Sequence, residues 1–428
     1  MHTRYGMGNP MGKLSAFIQA PQPLDAHGRL VFRIGRARAG DWVRLAIALA
    51  FVVLAATGVF AEPLRQFTIL HTNDLHSHLL PFDQVDFGKN VGGAARLAEL
   101  VKRITASTSN WVLLDGGDLF QGTPFYSSFF GEVEAQVAAL IGYTATVLGN
   151  HDLDDGLSNL RRQYASCSVP LLCANVLDKS TGKPAFTPWL VADRSEVKVG
   201  IIGAIGSAAW DVISHKRQRE LTFLEHEPVV ASIARHLRPQ VDLVILLSHA
   251  GYEADLAFAA RATDIDVIVG GHTNSITSHP VLIPHLSVPG KPASTNSLGG
   301  TLVVQAFKWG VFLGRLDLTL RADSSIATYS GQLLKVDDAI ATPEGSPVAR
   351  LVDSYHERIK ALTSQVIGHS ASDLLYPDEE KHLQVFPLGV WVCDAMREFV
   401  GADFGIINSG TIRDRLASGP VTMGSLLS

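Results

Sequence analysis

Seven side chains that can bind a metal ion follow five short apolar runs of this sequence. They are Asp74, His76, Asp118, Asn150, His249, His272 and Asn274. Carboxylate, imidazole and amide groups in one set suit zinc, manganese, iron or cobalt better than calcium or magnesium, which prefer oxygen ligands alone. Because seven ligands exceed the needs of one ion, the set predicts two divalent ions that share one carboxylate.

Two such ions indicate hydrolysis of a phosphoester, because they can clamp both the attacking and the leaving oxygen of an in-line displacement. A water activated by both ions would be the nucleophile, since metal binding lowers its pKa from ~15.7 towards ~7. Asp118 is the predicted shared ligand, because Gly117 and Gly122 leave room near it for ions and phosphate. His151 need not be a ligand. Oriented by Asp154, it is expected to protonate the leaving oxygen or to stabilise the phosphoryl group.

The apolar runs that precede these residues must be strands if the side chains are to meet. The runs lie at residues 68–70, 111–114, 145–148, 243–247 and 267–269. Short continuous apolar runs are typical of strands buried on both faces, and open α/β sheets bind ligands beyond the carboxyl ends of their strands. Helices are predicted between the runs, at 92–102, 133–141, 157–164 and 227–237. The sequence therefore predicts an α/β fold in which five strand ends converge on one point.

Beyond Asn274 the pattern changes to an alternation of polar and apolar residues. Residues 301–306 and 311–320 are predicted to be antiparallel strands, in a sheet packed beside the first. The later elements are predicted as a linker at 339–347, a bridging helix at 348–362 and, in a second domain from residue 366, a helix at 388–400 and a strand at 404–407.

The composition limits the class of protein. With 428 residues, 46% of them apolar, the chain is long enough for two domains with a sizeable core. A formal net charge of -5 argues against a protein that binds nucleic-acid polymers, which normally shows a basic face. The cysteines are too few for a disulfide framework. Cys167 and Cys173 are expected either to form one bond or to stay free thiols.

The amino terminus predicts export. Residues 1–44 are rich in Arg, residues 45–60 are almost wholly apolar, and the small residue Ala61 follows. This order is typical of a signal peptide, or of an uncleaved signal anchor that would attach the chain to a membrane through residues 45–61. Because the basic residues precede the apolar run, the rest of the chain is predicted to be periplasmic or extracellular in either case.

Five segments of the chain resemble the calcineurin-like metallophosphoesterases. They read TNDLH at 72–76, GDLFQG at 117–122, GNHD at 149–152, SHAG at 248–251 and GHTN at 271–274. More narrowly, they resemble the exported 5'-nucleotidase family, over residues 67–428. The resemblance implies an α/β fold: a four-layer α/β-β-α metallophosphoesterase sandwich, a linker helix, and an α+β second domain that binds the nucleoside.

The resemblance also implies which residues act on the substrate. One ion would bind Asp74, His76, Asp118 and Asn274, and the other Asp118, Asn150, His249 and His272. His151 and Asp154 would be the catalytic pair, and Asn408 and Arg413 would belong to the substrate-binding loop. Four positions depart from the family pattern. Asp152 and Leu153 stand where members usually have Glu and Phe. Asn274 stands where members usually have His or Gln, and Gln384 stands where many have an Arg directed at the phosphate.

The resemblance divides the chain into four parts. They are a basic N-terminal extension at 1–63, a dimetal metallophosphoesterase domain at 64–338, a linker with the bridging helix at 339–365, and the start of a 5'-nucleotidase C-terminal domain at 366–428. The last part has about sixty residues, against the ~100–150 typical of a domain. It is therefore expected to be incomplete, to lack part of the aromatic pair that stacks on the base, and to favour nucleotides only weakly.

The predicted function is that of a 5'-nucleotidase, which releases phosphate from nucleoside monophosphates and has a small-molecule phosphoester as its partner. Two alternatives stay open. A related enzyme could act on cyclic nucleotides, nucleotide sugars or sugar phosphates, and a non-catalytic binding protein could keep the fold. The second alternative predicts the loss of metal ligands, and no ligand of the first domain is clearly lost.

Overall fold

The computed structural model describes residues 64–165, 167–286, 298–377, 380, 382–412 and 414–427. In spatial order, the strands of a first six-stranded sheet are β16 (Ile326–Lys335), β15 (Phe312–Leu320), β1 (Arg65–Thr72), β4 (Trp111–Asp115), β5 (Ala145–Val147) and β6 (Leu171–Leu172). Strands β1, β4, β5 and β6 run parallel, and β15 is antiparallel to both β1 and β16. The first three apolar runs are therefore parallel strands, as the sequence predicts.

A second six-stranded sheet contains the two remaining apolar runs. In spatial order its strands are β13 (Val281–Pro284), β14 (Gly300–Val304), β12 (Val267–Gly270), β11 (Leu243–His249), β9 (Val197–Ile205) and β8 (Trp189–Arg194). The four inner strands are parallel, and the two edge strands are antiparallel to their neighbours.

Three two-stranded ribbons and eleven helices complete the described part of the chain. The ribbons pair β2 (Phe82–Gln84) with β3 (Gly88–Val91), β7 (Val176–Asp178) with β10 (Leu221–Phe223), and β17 (Val366–Ser370) with β18 (Gly419–Thr422). The helices are α1 (Ala94–Thr105), α2 (Pro124–Phe129), α3 (Glu132–Ile141), α4 (Leu157–Ala165), α5 (Ser207–Asp211), α6 (His215–Gln218), α7 (His226–Leu237), α8 (Tyr252–Ala259), α9 (Pro347–Thr363), α10 (Pro387–Val400) and α11 (Met423–Leu427).

The two sheets stack face to face, and helices cover their outer faces. Successive residues of a strand point to opposite faces. Ile69 of β1 and Ile245 of β11 therefore share the core between the sheets, whereas Leu70 and Leu246 face outwards. Helices α1, α3, α4 and α9 pack on the outer face of the first sheet, and α7 and α8 pack on that of the second. The predicted four-layer α/β-β-α arrangement is confirmed.

The structure corrects two of the strand predictions. Strand β14 is parallel to β12 and antiparallel only to its edge neighbour β13, and it belongs to a different sheet from β15. Residues 404–407 form no strand. A Cβ atom at Gly405 would lie 2.5 Å from the Cys393 carbonyl oxygen, so this segment runs against the backbone of α10 instead of pairing with a strand.

Three other expectations from the sequence have different outcomes. Cys167, Cys173 and Cys393 are free thiols, which decides between the two alternatives for the first pair. The predicted export signal falls on residues 1–63, outside the described residues. Among the helices that the structure describes, none is both long enough and apolar enough to cross a membrane.

Candidate metal centre

The seven predicted ligands lie at or just beyond the carboxyl ends of five parallel strands. Asp74 and His76 follow β1, Asp118 follows β4, Asn150 follows β5, His249 ends β11, and His272 and Asn274 follow β12. Hydrogen bonds join the two sheets at this edge. The His272 N–H donates to Asp74 Oδ2 at 3.0 Å, and His249 Nδ1 lies 2.7 Å from the Gly116 carbonyl oxygen. The strand ends of both sheets therefore converge, as the sequence predicts.

Asp74, His76 and Asp118 form one cluster of side chains. His76 Nε2 lies 3.8 Å from Asp74 Oδ1 and 3.8 Å from Asp118 Oδ2, and all three side chains are buried. The ligand atoms lie within 4.8 Å of one another, close enough to bind one ion together.

Asp118 also belongs to a second cluster, with His249 and His272. His249 Nε2 lies 3.3 Å from Asp118 Oδ2. The amide oxygen of Asn150 lies 3.2 Å from His249 Nε2 and 3.0 Å from His272 Nδ1, so Asn150 joins this second group. Asp118 is thus the carboxylate common to both groups.

His151 lies beside the two clusters and is half-buried, with 24% of its side chain exposed. Its Nδ1 lies 2.8 Å from Asp154 Oδ2, and its backbone N–H donates to Asp118 Oδ1 at 2.8 Å. Its ring is 5.3 Å from the ring of His76, measured between centroids. The bond to Asp154 fixes the ring orientation, so that Nε2 is the nitrogen directed away from Asp154.

Several predicted ligands have a left-handed backbone conformation. The φ angles are 52° at Asp74, 44° at His76, 54° at Asp118, 76° at His272 and 54° at Asn274. This conformation costs of the order of 1–3 kcal/mol for a residue other than glycine, and it persists only where the surrounding structure enforces it. Such residues concentrate at functional sites, and here they direct successive side chains to one point.

The neighbouring glycines leave room for the ligands themselves. A Cβ atom at Gly149 would lie 2.2 Å from Asp118 Oδ1, and one at Gly117 would lie 2.7 Å from His249 Nδ1. A Cβ atom at Gly122 would lie 2.6 Å from the His76 carbonyl oxygen. From the sequence, Gly117 and Gly122 are expected to leave room for ions and phosphate. In the structure, the atoms closest to the Cβ positions of these glycines belong to the proposed ligands, so the glycines leave room for protein groups of the centre.

Two family descriptions match this chain. Residues 67–275 match the calcineurin-like phosphoesterases, and residues 366–428 match the 5'-nucleotidase C-terminal domain. Residues 67–275 therefore form a domain of the calcineurin-like phosphoesterase family. The chain is accordingly a metal-dependent phosphoester hydrolase, and the family implies divalent metal ions. The family and the class of enzyme predicted from the sequence are confirmed.

Relatives of known name match most of this chain. Protein UshA of Yersinia enterocolitica is 28% identical, over 90% of this chain and 75% of the relative. A 5'-nucleotidase of Vibrio cholerae is also 28% identical, over 88% of this chain and 75% of the relative. Among solved structures, a 5'-nucleotidase precursor from Thermus thermophilus has a TM-score of 0.76 and 29% identity, covering 85% of this chain and 73% of that one.

Burial and mutual contacts shift the pKa values of the ionisable groups in the centre. Burial raises the pKa of Asp74 to about 7 and lowers that of His272 to about 4. Burial opposes charge on His249 too, but the adjacent Asp118 carboxylate prevails and raises the pKa of His249 to about 10. The same pairing outweighs the effect of burial on Asp118 and holds its pKa well below the usual value. Without a metal, the site therefore keeps a proton on His249.

Two buried oxygens of the centre give a direct test of whether a metal fits. Asp74 Oδ1 and Asn274 Oδ1 have no hydrogen-bond partner among the described residues. Buried polar atoms are nearly always hydrogen-bonded, so each exception needs a reason. A divalent cation supplies that reason for oxygen atoms, and the imidazole and carboxylate groups around them are common ligands of such ions.

Two functional neighbours of the ligands were not identified from the sequence. Asp152 is buried, and its carboxylate accepts hydrogen bonds from the N–H groups of Gly149 at 2.8 Å and Phe120 at 3.2 Å. Asp115 accepts from Thr72 Oγ1 at 2.6 Å and from the Gly117 N–H at 3.1 Å. Each carboxylate joins two ligand-bearing loops. The signal in the sequence was an acid within three residues of a ligand, which alone does not separate a support from a ligand.

The predicted substrate residues lie outside the two clusters. Asn408 is exposed, and its side-chain oxygen accepts from the Gly410 N–H at 2.9 Å within its own loop. Arg413 is outside the described residues. Gln384, which stands at the position of the family's Arg, donates from Nε2 to Glu380 Oε2 at 2.5 Å. Among the described contacts, none joins these side chains to the seven predicted ligands.

Proposed function

We propose that this chain is a 5'-nucleotidase that uses two divalent ions to release phosphate from nucleoside monophosphates. The observation that carries the proposal is the pair of ligand clusters that share Asp118. The match of residues 366–428 to the 5'-nucleotidase C-terminal domain, and the names of the most similar relatives, support a nucleotide as the substrate.

The proposed ligands divide into two sets. Asp74, His76, Asp118 and Asn274 would hold one ion, and Asp118, Asn150, His249 and His272 would hold the other. When bound, the ions supply Lewis-acid chemistry and neutralise negative charge on the phosphoryl group. The mixture of nitrogen and oxygen ligands favours zinc, manganese, iron or cobalt.

His151 would act on the leaving group. Water adds to phosphorus, the bond from phosphorus to the 5' oxygen breaks, and that oxygen takes a proton from His151 Nε2. The protons of the water leave with the phosphate. Asp154 holds Nδ1 at 2.8 Å, and its negative charge stabilises the protonated ring that must form before the transfer. The Asp118 carboxylate accepts a hydrogen bond from the backbone N–H of His151, so the loop that carries His151 is bonded to the shared ligand.

The remaining parts of the chain would serve substrate selection and delivery. We assign the catalytic centre to residues 64–338, a connecting role to residues 339–365, and nucleoside contacts to residues 366–428, with Asn408 and Arg413 among them. We also infer that residues 1–63 direct export, so that the enzyme meets its nucleotides in the periplasm or outside the cell.

A panel of phosphoesters tests the proposal. The full chain, treated with EDTA and reloaded with manganese, zinc or cobalt, would be given a nucleoside monophosphate, a cyclic nucleotide, a nucleotide sugar, a sugar phosphate and a small aryl phosphate. We expect metal-dependent phosphate release, with the highest kcat/KM for the nucleoside monophosphate. A higher kcat/KM for another phosphoester of the panel would identify that compound as the better substrate and contradict the proposal. If the chain hydrolysed none of them, a non-catalytic binding protein would be favoured.

A further inference from the structure

Residues 305–311 connect β14 of the second sheet to β15 of the first, and we call them the crossover segment. Its first residue, Gln305, is a polar side chain with 0% exposure. Burying an amide is unfavourable unless its donor and its acceptor are both satisfied. The Gln305 amide therefore needs a hydrogen-bond acceptor and a hydrogen-bond donor. Both of these partners lie in the loop that carries two of the proposed ligands.

The Gln305 amide contacts the two ends of that loop. Its Nε2 donates to the Gly271 carbonyl oxygen at 2.9 Å, and its Oε1 accepts from the Ser275 N–H at 2.7 Å. His272 and Asn274 lie between these two contacts, and both have left-handed backbone angles. One planar amide thus spans the strained turn from which both side chains project.

The rest of the crossover segment contacts the first sheet's ligand loop. The Ala306 N–H donates to Asn73 Oδ1 at 2.7 Å, and the Trp309 N–H donates to the Asp74 carbonyl oxygen at 2.8 Å. The same short segment therefore contacts the loop of Asp74 and, through Gln305, the loop of His272 and Asn274. These loops come from different sheets, and the segment fixes the distance between them.

We propose that Gln305 is a positioning residue for both metal ions. It holds His272, a ligand of one ion, and Asn274, a ligand of the other, at a fixed distance from Asp74. The proposal rests on the ligand sets of the proposed function. Residues that orient metal ligands typically change metal affinity by 10–100-fold when they are substituted, although they touch no metal.

The test measures metal binding, so it needs no substrate. Manganese would be titrated into the EDTA-treated full chain and into Gln305→Leu, with free manganese followed by electron paramagnetic resonance. We expect the variant to bind both ions about 10–100-fold more weakly. The signal of a spin-coupled manganese pair should also be lost or altered at saturating metal, which a merely less stable protein would not show.

Thr301→Val is the matched control. Thr301 is as buried as Gln305, lies in the adjoining strand β14, and donates from Oγ1 to the Ile265 carbonyl oxygen at 2.8 Å, away from the ligand loops. It should lower thermal stability without changing manganese affinity. Gln305→Glu keeps the size of the side chain and an acceptor for the Ser275 N–H. It therefore serves as a second test variant if Gln305→Leu does not fold. It should bind both ions more weakly than the unsubstituted chain.

The outcomes separate the two proposals. Unchanged affinity and an unchanged manganese signal in Gln305→Leu or Gln305→Glu would overturn the positioning role, and so would an equal loss of affinity in Thr301→Val. Weaker binding confined to one ion would also contradict it. A failure of the nucleotide preference would appear only in the phosphoester panel and would leave this result standing. If the unsubstituted chain bound no ion, both proposals would fail.

Discussion

The proposed metal centre and the C-terminal region differ in how firmly the fold holds their polar residues. Asp74 and His249 are fully buried, and each is tied to the other sheet by a hydrogen bond. Asn408 is exposed and bonded only within its own loop in the described structure. A ligand at a buried strand end is thus placed by the sheet, whereas a residue in an exposed loop is placed by local contacts.

The C-terminal region also has a much smaller apolar core than the two sheets that carry the metal centre. The core of the C-terminal region has four buried apolar residues, Tyr376, Leu388, Leu416 and Val421. Nearby, Phe399 and Phe404 expose 91% and 74% of their surface. Substitutions in the metal centre should therefore act through metal binding and kcat. Substitutions in the C-terminal region should act through KM.

Asp118→Ala should have the largest effect of any single substitution, because the side chain belongs to both clusters. We expect loss of both ions and a fall in kcat/KM of roughly a thousandfold or more, since the ions are worth several kcal/mol of transition-state stabilisation. Asp74→Ala should weaken the binding of mainly one ion, because Asp74 belongs to only one of the clusters. Elemental analysis of metal per chain checks both, with Asp353→Ala on the exposed face of α9 as control. Two ions retained in Asp118→Ala would show that it is not shared.

His151→Asn should separate chemistry from metal binding within the same centre. The variant removes the proposed proton donor and leaves the ligand sets intact, so we expect kcat to fall by roughly 10²–10⁴-fold with normal metal content. Because an activated leaving group needs no proton, the loss should be much smaller with a nitrophenyl phosphate. Loss of a bound ion in this variant would mean that His151 is a ligand.

Metal affinity should rise with pH, because the metal must displace the proton that His249 keeps. The pKa of His249 is raised to about 10, since the effect of Asp118 exceeds that of burial, so the metal-free site is protonated at every pH below that value. We expect affinity for the ion at His249 to increase about tenfold per pH unit between about pH 7 and pH 9. Calorimetric titration in buffers of different ionisation enthalpy measures the proton released, and no release would contradict the assignment.

Asn408→Ala should have the smallest effect. One exposed hydrogen bond to substrate contributes about 0.5–1.5 kcal/mol, so KM for a nucleoside monophosphate should rise roughly 2–12-fold. Metal content and kcat/KM for a small aryl phosphate should not change. Asp403→Ala, in the same exposed region, is the control. An equal effect on the aryl phosphate would place Asn408 among the groups that act on the phosphoryl centre.

The sequence predicts the structure correctly where the local pattern of apolar residues also determines the position of the element in the fold. The run at 243–247 is apolar throughout, so it had to be a strand buried on both faces, and its end had to carry His249 to the carboxyl edge. Residues 404–407 look equally apolar over a shorter span. Gly405 lies against the Cys393 backbone, and that long-range contact prevents strand pairing.

Long-range partners account for what the sequence could not predict. Strand β14 joins β12, and β15 joins β1, because the crossover segment between them passes from one sheet to the other. Nothing in the alternation of residues 301–320 indicates this change of sheet. Gln305 is likewise an ordinary strand-end residue in the sequence, and only the fold brings it within 2.9 Å of Gly271.

Anomalous X-ray diffraction from crystals of the manganese- or zinc-loaded chain tests the central claim most directly. We predict two peaks, ~3.5–4 Å apart, with Asp118 bound to both. One peak should have Asp74 and His76 as neighbours, and the other His249 and His272. A single peak, or two peaks of which only one contacts Asp118, would contradict a centre built around one shared carboxylate.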